Sequence, residues 1–259
     1  MNKKYLKNEY MKTANIDDPF YDVVLTRETQ EYIRSIISNY SFKGVNKNLA
    51  YDIGAYIGSS IPRIKAMGFN DIVCFEPDPI TYRKLSSNYK DDKNILLENL
   101  GMSDRQENTT LYSCDRNRTF LNTMHKDWIF QTKHKSLVNS VSEVNISCTT
   151  LDTFLKTKDE IPGYAKIDVE GHEYEVIKGL NTKIPLLSFE WISELPEKNN
   201  LCLDELLSIG YTKFNLSTIY EEVLGPEDQW LPIEDAKKRF LKISTQDPDN
   251  EIWGNAWCI

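Results

Sequence analysis

Two glycines stand in a short turn within the stretch Leu49–Ser59, directly after a run of apolar residues. Glycine lets a backbone approach a ligand closely or adopt positive φ angles. Gly54 and Gly58 are spaced Gly-x-x-x-Gly before a helix start, as expected for a loop that binds a nucleotide cofactor. A dinucleotide fingerprint instead requires Gly-x-Gly-x-x-Gly, and Tyr56 occupies the place of its second glycine. The bulk of Tyr56 therefore argues against NAD or FAD.

A carboxylate follows the next apolar run, Asp71–Phe75, and precedes a proline. This residue, Glu76, lies about 20 residues beyond the glycine turn, where a carboxylate at a strand end can accept hydrogen bonds from both hydroxyls of a ribose. Each signal is weak alone, because a Gly-x-x-x-Gly pattern is common in helix packing and a Glu before Pro commonly ends a strand. Together, in this order, they favour S-adenosylmethionine as the cofactor.

A third group of reactive side chains lies in the segment Lys166-Ile167-Asp168-Val169-Glu170-Gly171-His172-Glu173. Asp168 and Glu170 are two residues apart, so a strand continuing through both would project their carboxylates to one face, where they could hold a hydroxyl or a divalent cation. His172 adds an imidazole whose ordinary pKa of about 6.5 allows it to accept a proton. A carboxylate that ends a central strand is costly unless it is used or paired, and Lys166 is the expected partner of Asp168.

The chain resembles the FkbM family of methyltransferases over roughly residues 48 to 191. Four motifs carry the resemblance: Asp52-Ile53-Gly54-Ala55, Phe75-Glu76-Pro77, Thr150-Leu151-Asp152 and, above all, the segment from Lys166 to Glu173 with Gly179 after it. The resemblance implies an α/β fold of the Rossmann-like class I methyltransferases, with a mostly parallel central sheet and helices on both faces. It also implies transfer of the methyl group of S-adenosylmethionine to a hydroxyl of a sugar or glycan precursor, such as a nucleotide-linked unit of a surface polysaccharide.

The resemblance and the strand ends together indicate a site. The expected cofactor-binding residues are Asp52, Gly54, Ala55, Tyr56, Gly58 and Ser59 around the first turn, Glu76 at the ribose, Ser103 and Asp104 at the adenine amine, and Asp168 at the end of the central strand. A sugar hydroxyl is a poor nucleophile until its proton starts to leave, so a general base is expected. Its candidates are Asp168, Glu170, His172 and Glu190. Three carboxylates near one site would permit Mg²⁺ without requiring it.

These residues need a scaffold that brings several strand ends together. Strand and helix patterns alternate from residue 49 onward, which predicts parallel strands joined by right-handed crossovers. Strands are predicted near 49–53, 71–75, 94–98, 109–112, 144–148, 164–169, 186–190, 211–216 and 252–257, with helices over 59–67 and 79–89 and around 204–208. In such sheets ligands bind outside the carboxyl ends of the strands, where the strand order reverses.

The domain boundaries follow from the same patterns. Residues 1–42 are expected to form an N-terminal arm with a helix at 28–40, which could pack against a second subunit of a homo-oligomer. Residues 43–259 are expected to form the methyltransferase domain, with irregular insertions near 113–142 and 218–250. Insertions of this length are commonly lids or binding loops. Their aromatic residues, Phe120, Trp128, Phe130, Tyr220, Trp230 and Phe240, could contact a sugar ring or pin the loops to the body.

Composition narrows the setting. The net charge of −8 and the pI of about 5.1 disfavour a nucleic-acid partner. No Cys-x-x-Cys spacing joins the five cysteines into a metal or redox site, so they are expected to be reduced. No signal-peptide pattern is present and no apolar run approaches the ~18 residues of a membrane span, which favours a cytoplasmic protein.

Two other functions stay open. A non-catalytic module could keep the fold and bind S-adenosylmethionine without turnover. A nicotinamide-dependent oxidoreductase would share the strand and helix alternation and Glu76, and Tyr56 is the residue that speaks against it.

Overall fold

The central sheet of this protein consists mainly of strands that carry apolar residues on both faces. The computed structural model describes residues 45–114, 119–132, 135–136, 138–218, 230–247 and 252–259. The described strands are β1 Leu49–Ile53, β2 Asp71–Phe75, β3 Ile95–Glu98, β4 Gly101–Met102, β5 Glu107–Cys114, β6 Val141–Thr149, β7 Tyr164–Ile167, β8 Leu186–Ile192, β9 Phe214–Thr218 and β10 Trp253–Cys258. The described helices are α1 Ile61–Ala66, α2 Pro79–Tyr89, α3 Lys126–Gln131, α4 Leu151–Leu155, α5 Glu173–Lys178, α6 Pro196–Ile209 and α7 Ile233–Gln246, with a 3-10 turn at Thr119–Leu121.

Seven strands form one sheet in the order β3-β2-β1-β7-β8-β10-β9. The first five of that order run parallel, whereas β10 is antiparallel to both of its neighbours. The chain moves outward from β1 to β3 and returns to place β7 against the other side of β1, so the order reverses between β1 and β7. The register there pairs Asp52 with Lys166. The carboxyl ends of β2, β1, β7 and β8 therefore lie side by side.

A smaller sheet in the order β4-β6-β5 stands beside the main one. β5 and β6 are antiparallel over eight residue pairs, and β4 runs parallel to β6. The first of the two expected insertions connects β5 to β6, and its described part contains the 3-10 turn and α3. The insertion is therefore attached to the molecule through β5 and β6 of this smaller sheet.

The two largest hydrophobic clusters of the described residues lie on opposite faces of the main sheet. Alternation along β1 sends Tyr51 and Ile53 into one cluster and Ala50 into the other. The first cluster contains buried residues of α4 to α7, and the second contains those of α1 and α2. Cover on both faces explains why the strands read as almost continuous apolar runs.

The structure confirms all of the predicted strands, with shifts of a few residues at their ends. The helix predicted over 79–89 is confirmed as α2. It begins there because the Asp78 side chain accepts hydrogen bonds from the first amides of the helix and Pro79 occupies its first turn. The helix expected around 204–208 is a part of the longer α6, which ends at Gly210 with a φ of 106°. The 28–40 helix and the arm of residues 1–42 lie outside the described residues.

Two expectations are wrong. β7 ends at Ile167 and not at 169, so Asp168 and Glu170 do not share one face of a strand; Glu170 has a φ of 53° and the chain turns there. The stretch 218–250 is not irregular over 233–246, where α7 buries Ala236 and Phe240. These two residues are four apart and lie on one face of the helix. The many charged residues around them hid this helical spacing in the sequence.

The five cysteines are all buried, and no disulfide joins them. None of the helices among the described residues has the combined length and apolarity that a crossing of the bilayer would require.

Candidate active site

The turn after β1 is held against the strands on both sides of it. The amides of Gly54 and Ala55 both donate to the carbonyl of Phe75 at 3.0 Å, which ties the turn to β2. Gly54 has a φ of 81°, and a Cβ at this position would stand 1.7 Å from the carbonyl oxygen of Asp168. The glycine is therefore required by the neighbouring end of β7. At Gly58 the ring of Tyr89 fills the corresponding space.

Glu76 closes the same turn from β2. Its Oε2 accepts a hydrogen bond from the amide of Tyr56 at 3.0 Å, and its Oε1 accepts one from the amide of Asp78 at 2.9 Å. Burial raises the pKa of Glu76 to about 8, although the two amide hydrogen bonds oppose the rise. Each carboxylate oxygen has a second lone pair, so Glu76 keeps the capacity to accept further hydrogen bonds.

Asp52, the last polar residue of β1, is fully buried. Neither of its carboxylate oxygens has a hydrogen-bond partner among the described residues. The nearest cation is Lys166, whose Nζ lies 3.8 Å from Asp52 Oδ1. Burial raises the pKa of Asp52 to about 6, against the lowering effect of Lys166. Buried polar groups are normally satisfied, so this carboxylate is the strongest indication of a missing hydrogen-bond donor.

Lys166 pairs with the next carboxylate along the chain, as predicted. Its Nζ lies 2.7 Å from Asp168 Oδ2, and the ammonium group is almost fully buried. Its two acidic neighbours raise its pKa although burial opposes the rise. One ammonium thus faces two carboxylates, which leaves this region of the site with excess negative charge.

Three carboxyl groups converge near the carboxyl ends of β7 and β8, two from the loop after β7 and one from within β8. One oxygen each of Asp168, Glu170 and Glu190 lies within 4.8 Å of the others. Burial and the negative charge of Asp168 raise the pKa of Glu170 and of Glu190 well above the ordinary value. Carboxyl groups in such a cluster can hold or accept a proton nearer to neutral pH than an exposed carboxylate can.

The loop that presents Asp168 and Glu170 is fixed by Glu173, the first residue of α5. Glu173 Oε1 accepts hydrogen bonds from the amides of Val169 and Gly171, both at 3.1 Å. Burial raises the pKa of Glu173. By holding these two loop amides, the carboxylate fixes the backbone on both sides of Glu170 and directly after Asp168.

His172 lies between two polar side chains. Its Nε2 is 3.0 Å from Ser103 Oγ and its Nδ1 is 2.8 Å from His125 Nε2. Burial lowers the pKa of His172 to about 4, although the nearby Glu175 opposes the change. The ring is therefore neutral near pH 7, with both nitrogens engaged by the protein.

The other expected residues lie around this edge. Ser103 is buried against His172, and Asp104 accepts a hydrogen bond from Lys178 Nζ at 3.3 Å. Ala55 is buried in the core, whereas Ser59 is exposed. Among the aromatic residues of the insertions, Trp128 and Phe240 are buried and pack against the body, and Phe120 lies edge-on to Tyr56 with ring centroids 6.5 Å apart.

His125, Glu175 and Lys198 had no signal in the sequence as site residues. His125 belongs to the insertion and Lys198 to α6, far from the motif that contains His172. Glu175 accepts a hydrogen bond from His125, and this bond and the charge of Lys198 lower its pKa to about 2 although burial opposes them. Only the folded chain brings these three residues together.

Numbered by its own strands, the main sheet has the order 3-2-1-4-5-7-6 with strand 7 reversed. With the glycine turn and the carboxylates at the carboxyl ends of its central strands, it is the Rossmann-like fold of class I methyltransferases. A family model described as the methyltransferase FkbM domain matches residues 52–204, more than half of the chain. The protein belongs to this family, as the sequence motifs indicated.

Solved structures with similar folds include two methyltransferase-related proteins. Precorrin-6y C5,15-methyltransferase from Geobacter metallireducens is 10% identical, with a TM-score of 0.43 and coverage of 92% of this chain and 91% of that chain. Fibrillarin from Aeropyrum pernix, with natively bound S-adenosyl-L-methionine, is 10% identical, with a TM-score of 0.40 and coverage of 88% and 74%. Comparison with curated protein sequences gave no significant match. The family assignment rests on the matched domain, and these distant similarities add nothing to it.

Proposed function

We propose that this protein is an S-adenosylmethionine-dependent O-methyltransferase whose acceptor is a hydroxyl group of a sugar or glycan precursor. One observation carries the proposal. The carboxyl groups of Asp52, near the end of β1, and Glu76, just after β2, lie at the same edge of the sheet as the cluster formed by Asp168 and Glu170 after β7 and Glu190 within β8. Hydrogen-bond acceptors for a cofactor thus lie beside groups able to take a proton.

The residues present fit the cofactor. S-adenosylmethionine offers an ammonium group and two ribose hydroxyls, all of which donate hydrogen bonds. Asp52 has two buried oxygens without a hydrogen-bond partner among the described residues, and Glu76 has unused lone pairs. Asp52 and Glu76 would hold these donors, with Gly54, Ala55, Tyr56, Gly58 and Ser59 forming the turn and Ser103 and Asp104 beside the adenine. When bound, the cofactor supplies a methyl group activated by its sulfonium.

The chain's own contribution is to orient the acceptor and to remove its proton. Orientation of an acceptor oxygen near its target can lower a barrier by ~7 to 11 kcal/mol. Glu190 is the proposed base, since its pKa is raised well above the ordinary value by burial and by the charge of Asp168. A carboxylate with a raised pKa is a stronger proton acceptor, and a base typically contributes ~10² to 10⁴ in rate. Asp168, held by Lys166 at 2.7 Å, would accept a second hydrogen bond from the acceptor.

Three features support a small polyol as the acceptor. Clustered carboxylates can accept hydrogen bonds from adjacent hydroxyls of one acceptor. The rings of Tyr56 and Phe120 offer apolar faces to a sugar ring. The net charge of −8 disfavours a nucleic-acid acceptor. The all-oxygen cluster would also permit Mg²⁺. A cytoplasmic location is proposed because five buried cysteines without a disulfide among them suit a reducing compartment.

Calorimetric titration with S-adenosylhomocysteine tests the cofactor site. We expect saturable binding by the wild type, a loss of binding for Glu76→Ala, and unchanged binding for Glu143→Gln, which alters an exposed carboxylate on β6. No binding by the wild type, or binding of NADH in its place, would refute the cofactor proposal.

Transfer of a labelled methyl group from S-adenosylmethionine to a panel of sugars and nucleotide sugars tests the reaction, with and without EDTA. Product whose label resists the mild alkali that hydrolyses methyl esters is the expected result. Cofactor binding without turnover on any hydroxyl acceptor would favour a non-catalytic module.

A further inference from the structure

A second cluster of potential metal ligands lies apart from the three carboxylates and is formed by His125, His172 and Glu175. His172 immediately precedes α5, and Glu175 lies three residues later in its first turn, so both side chains project from the same side of that helix. His125 comes from the insertion and immediately precedes α3. Two separate segments of the chain thus contribute to one cluster.

The ligand atoms of these three residues lie within 4.8 Å of one another. His125 Nε2 lies 2.8 Å from His172 Nδ1 and 3.3 Å from Glu175 Oε1, and His172 Nδ1 lies 3.6 Å from the other oxygen of Glu175, Oε2. Ligands bound at about 2.0–2.2 Å to a tetrahedral ion lie roughly 3.3 to 3.6 Å apart. To reach that geometry the two histidine nitrogens need to separate by a few tenths of an ångström, and the Glu175 carboxylate needs to turn one oxygen towards both of them.

The outer partners of these ligands are those that a metal site requires. Ser103 Oγ lies 3.0 Å from His172 Nε2 and can accept a hydrogen bond from it in the tautomer whose Nδ1 carries the lone pair that a metal needs. Metal-bound histidines almost always donate their second ring N–H in this way. Lys198 Nζ lies 3.9 Å from Glu175 Oε2 and donates to the carbonyl of Gly171, so it positions the carboxylate beside His172.

We infer that His125, His172 and Glu175 bind a divalent transition-metal ion, with Zn²⁺ as the representative species, and leave a fourth position open. Two imidazoles and one carboxylate form the donor set of open zinc sites. Imidazole nitrogens select Zn²⁺ and its neighbours over Mg²⁺ and Ca²⁺, which prefer oxygen ligands. This distinguishes the site from the all-oxygen cluster of Asp168, Glu170 and Glu190.

The bound ion joins the insertion to the loop after β7. A contact between Trp128 of α3 and Gly171 already joins the same two segments, since a Cβ at Gly171 would lie 2.2 Å from Trp128 Cδ1. The metal therefore fixes the insertion next to the acidic residues that follow β7.

Titration of chelator-treated protein with Co²⁺ and Zn²⁺ tests the inference. The wild type is expected to bind one equivalent, with the visible absorption of four-coordinate Co²⁺ and no thiolate charge-transfer band. Mg²⁺ in excess should not displace the ion. Glu197→Gln, which alters an exposed carboxylate at the start of α6, is the matched control and should bind as the wild type does.

Substitution of the metal-binding residues and of Ser103 gives the decisive comparison. Ser103→Ala should weaken the affinity about 10- to 100-fold, as expected for a partner of a ligand, and His125→Gln and Glu175→Gln should weaken it further. Circular dichroism verifies that each variant is folded, and Glu175→Gln and Ser103→Ala suffice if His125→Gln does not fold. The inference is overturned if the wild type shows no saturable binding, if thiolate bands appear, or if the ligand variants bind as tightly as the control.

Discussion

The backbone of Gly54 lies directly against the carbonyl of Asp168, so that a Cβ at position 54 would stand 1.7 Å from that oxygen. The amide of Asp168 in turn donates to the carbonyl of Ile53 at 2.9 Å. The carboxyl ends of β1 and β7 can therefore approach each other this closely because residue 54 has no side chain. Asp52 and Asp168 can share Lys166 only because these strand ends are so close.

Gly54→Ala should destabilise the fold and separate these two strand ends. A non-glycine residue in a left-handed conformation costs about 1 to 3 kcal/mol, and the clash with Asp168 adds to it. Gly210→Ala is the control, since Gly210 also has a positive φ but the nearest atom to an added Cβ is 4.0 Å away. Urea denaturation should show a distinctly larger loss for Gly54→Ala, and equal losses would contradict the steric explanation.

Asp52→Asn should change how stability depends on pH. The folded pKa of about 6 exceeds the ordinary 3.8, so protonation stabilises the folded state. That contribution is complete below the ordinary pKa and is lost as pH rises through about 6, with a magnitude on the order of 3 kcal/mol. Between about pH 4 and about pH 7 the unfolding free energy of the wild type should therefore fall more than that of the variant. Parallel pH profiles would show that Asp52 is not the titrating group.

Lys166→Met should be strongly destabilising because it leaves Asp52 and Asp168 without their buried cation. Loss of one partner of a buried ion pair typically costs about 3 to 5 kcal/mol. Lys65→Met removes an exposed partner of Asp92 and should cost no more than about 1 kcal/mol. The difference in unfolding free energy between the two variants should shrink on acidification, as the carboxylates take up protons. A difference that persists undiminished would mean that packing, and not charge, is what Lys166 supplies.

Glu190→Gln should separate catalysis from cofactor binding. If Glu190 removes the acceptor proton, kcat should fall about 10²- to 10⁴-fold. The affinity for S-adenosylhomocysteine should stay largely unchanged, since Glu190 lies on β8, which β7 separates from the strands that carry Asp52 and Glu76. The pair of measurements is a rate assay with a sugar acceptor and calorimetry. An unchanged kcat would transfer the role of base to another group.

The local parts of the fold could be predicted because short-range physics decides them. Asp78 before Pro79 marks the start of α2, and the apolar runs of β1, β2 and β7 mark strands buried on both faces. The turn at Glu170 was missed, since a positive φ at a glutamate is forced by the loop that Glu173 holds and has no signature in composition.

The candidate site was predictable only where its residues are close in sequence. The motif from Lys166 to Glu173 contains both Asp168 and its cation, so their pairing was foreseen and is confirmed. His125 meets His172 across 47 positions of the chain. Such a contact depends on how the insertion packs, and neither spacing nor residue type along the chain encodes it.

The reversed strand β10 has a consequence for how the protein is made. It occupies the place between β8 and β9, although both of these precede it in the chain. While the ribosome is still extending the polypeptide, β8 and β9 face a gap that only residues 253–258 can fill. Parallel pairing of β1, β2, β3, β7 and β8 can be complete before then, so the cofactor half of the sheet is able to form first and the other half closes when β10 emerges.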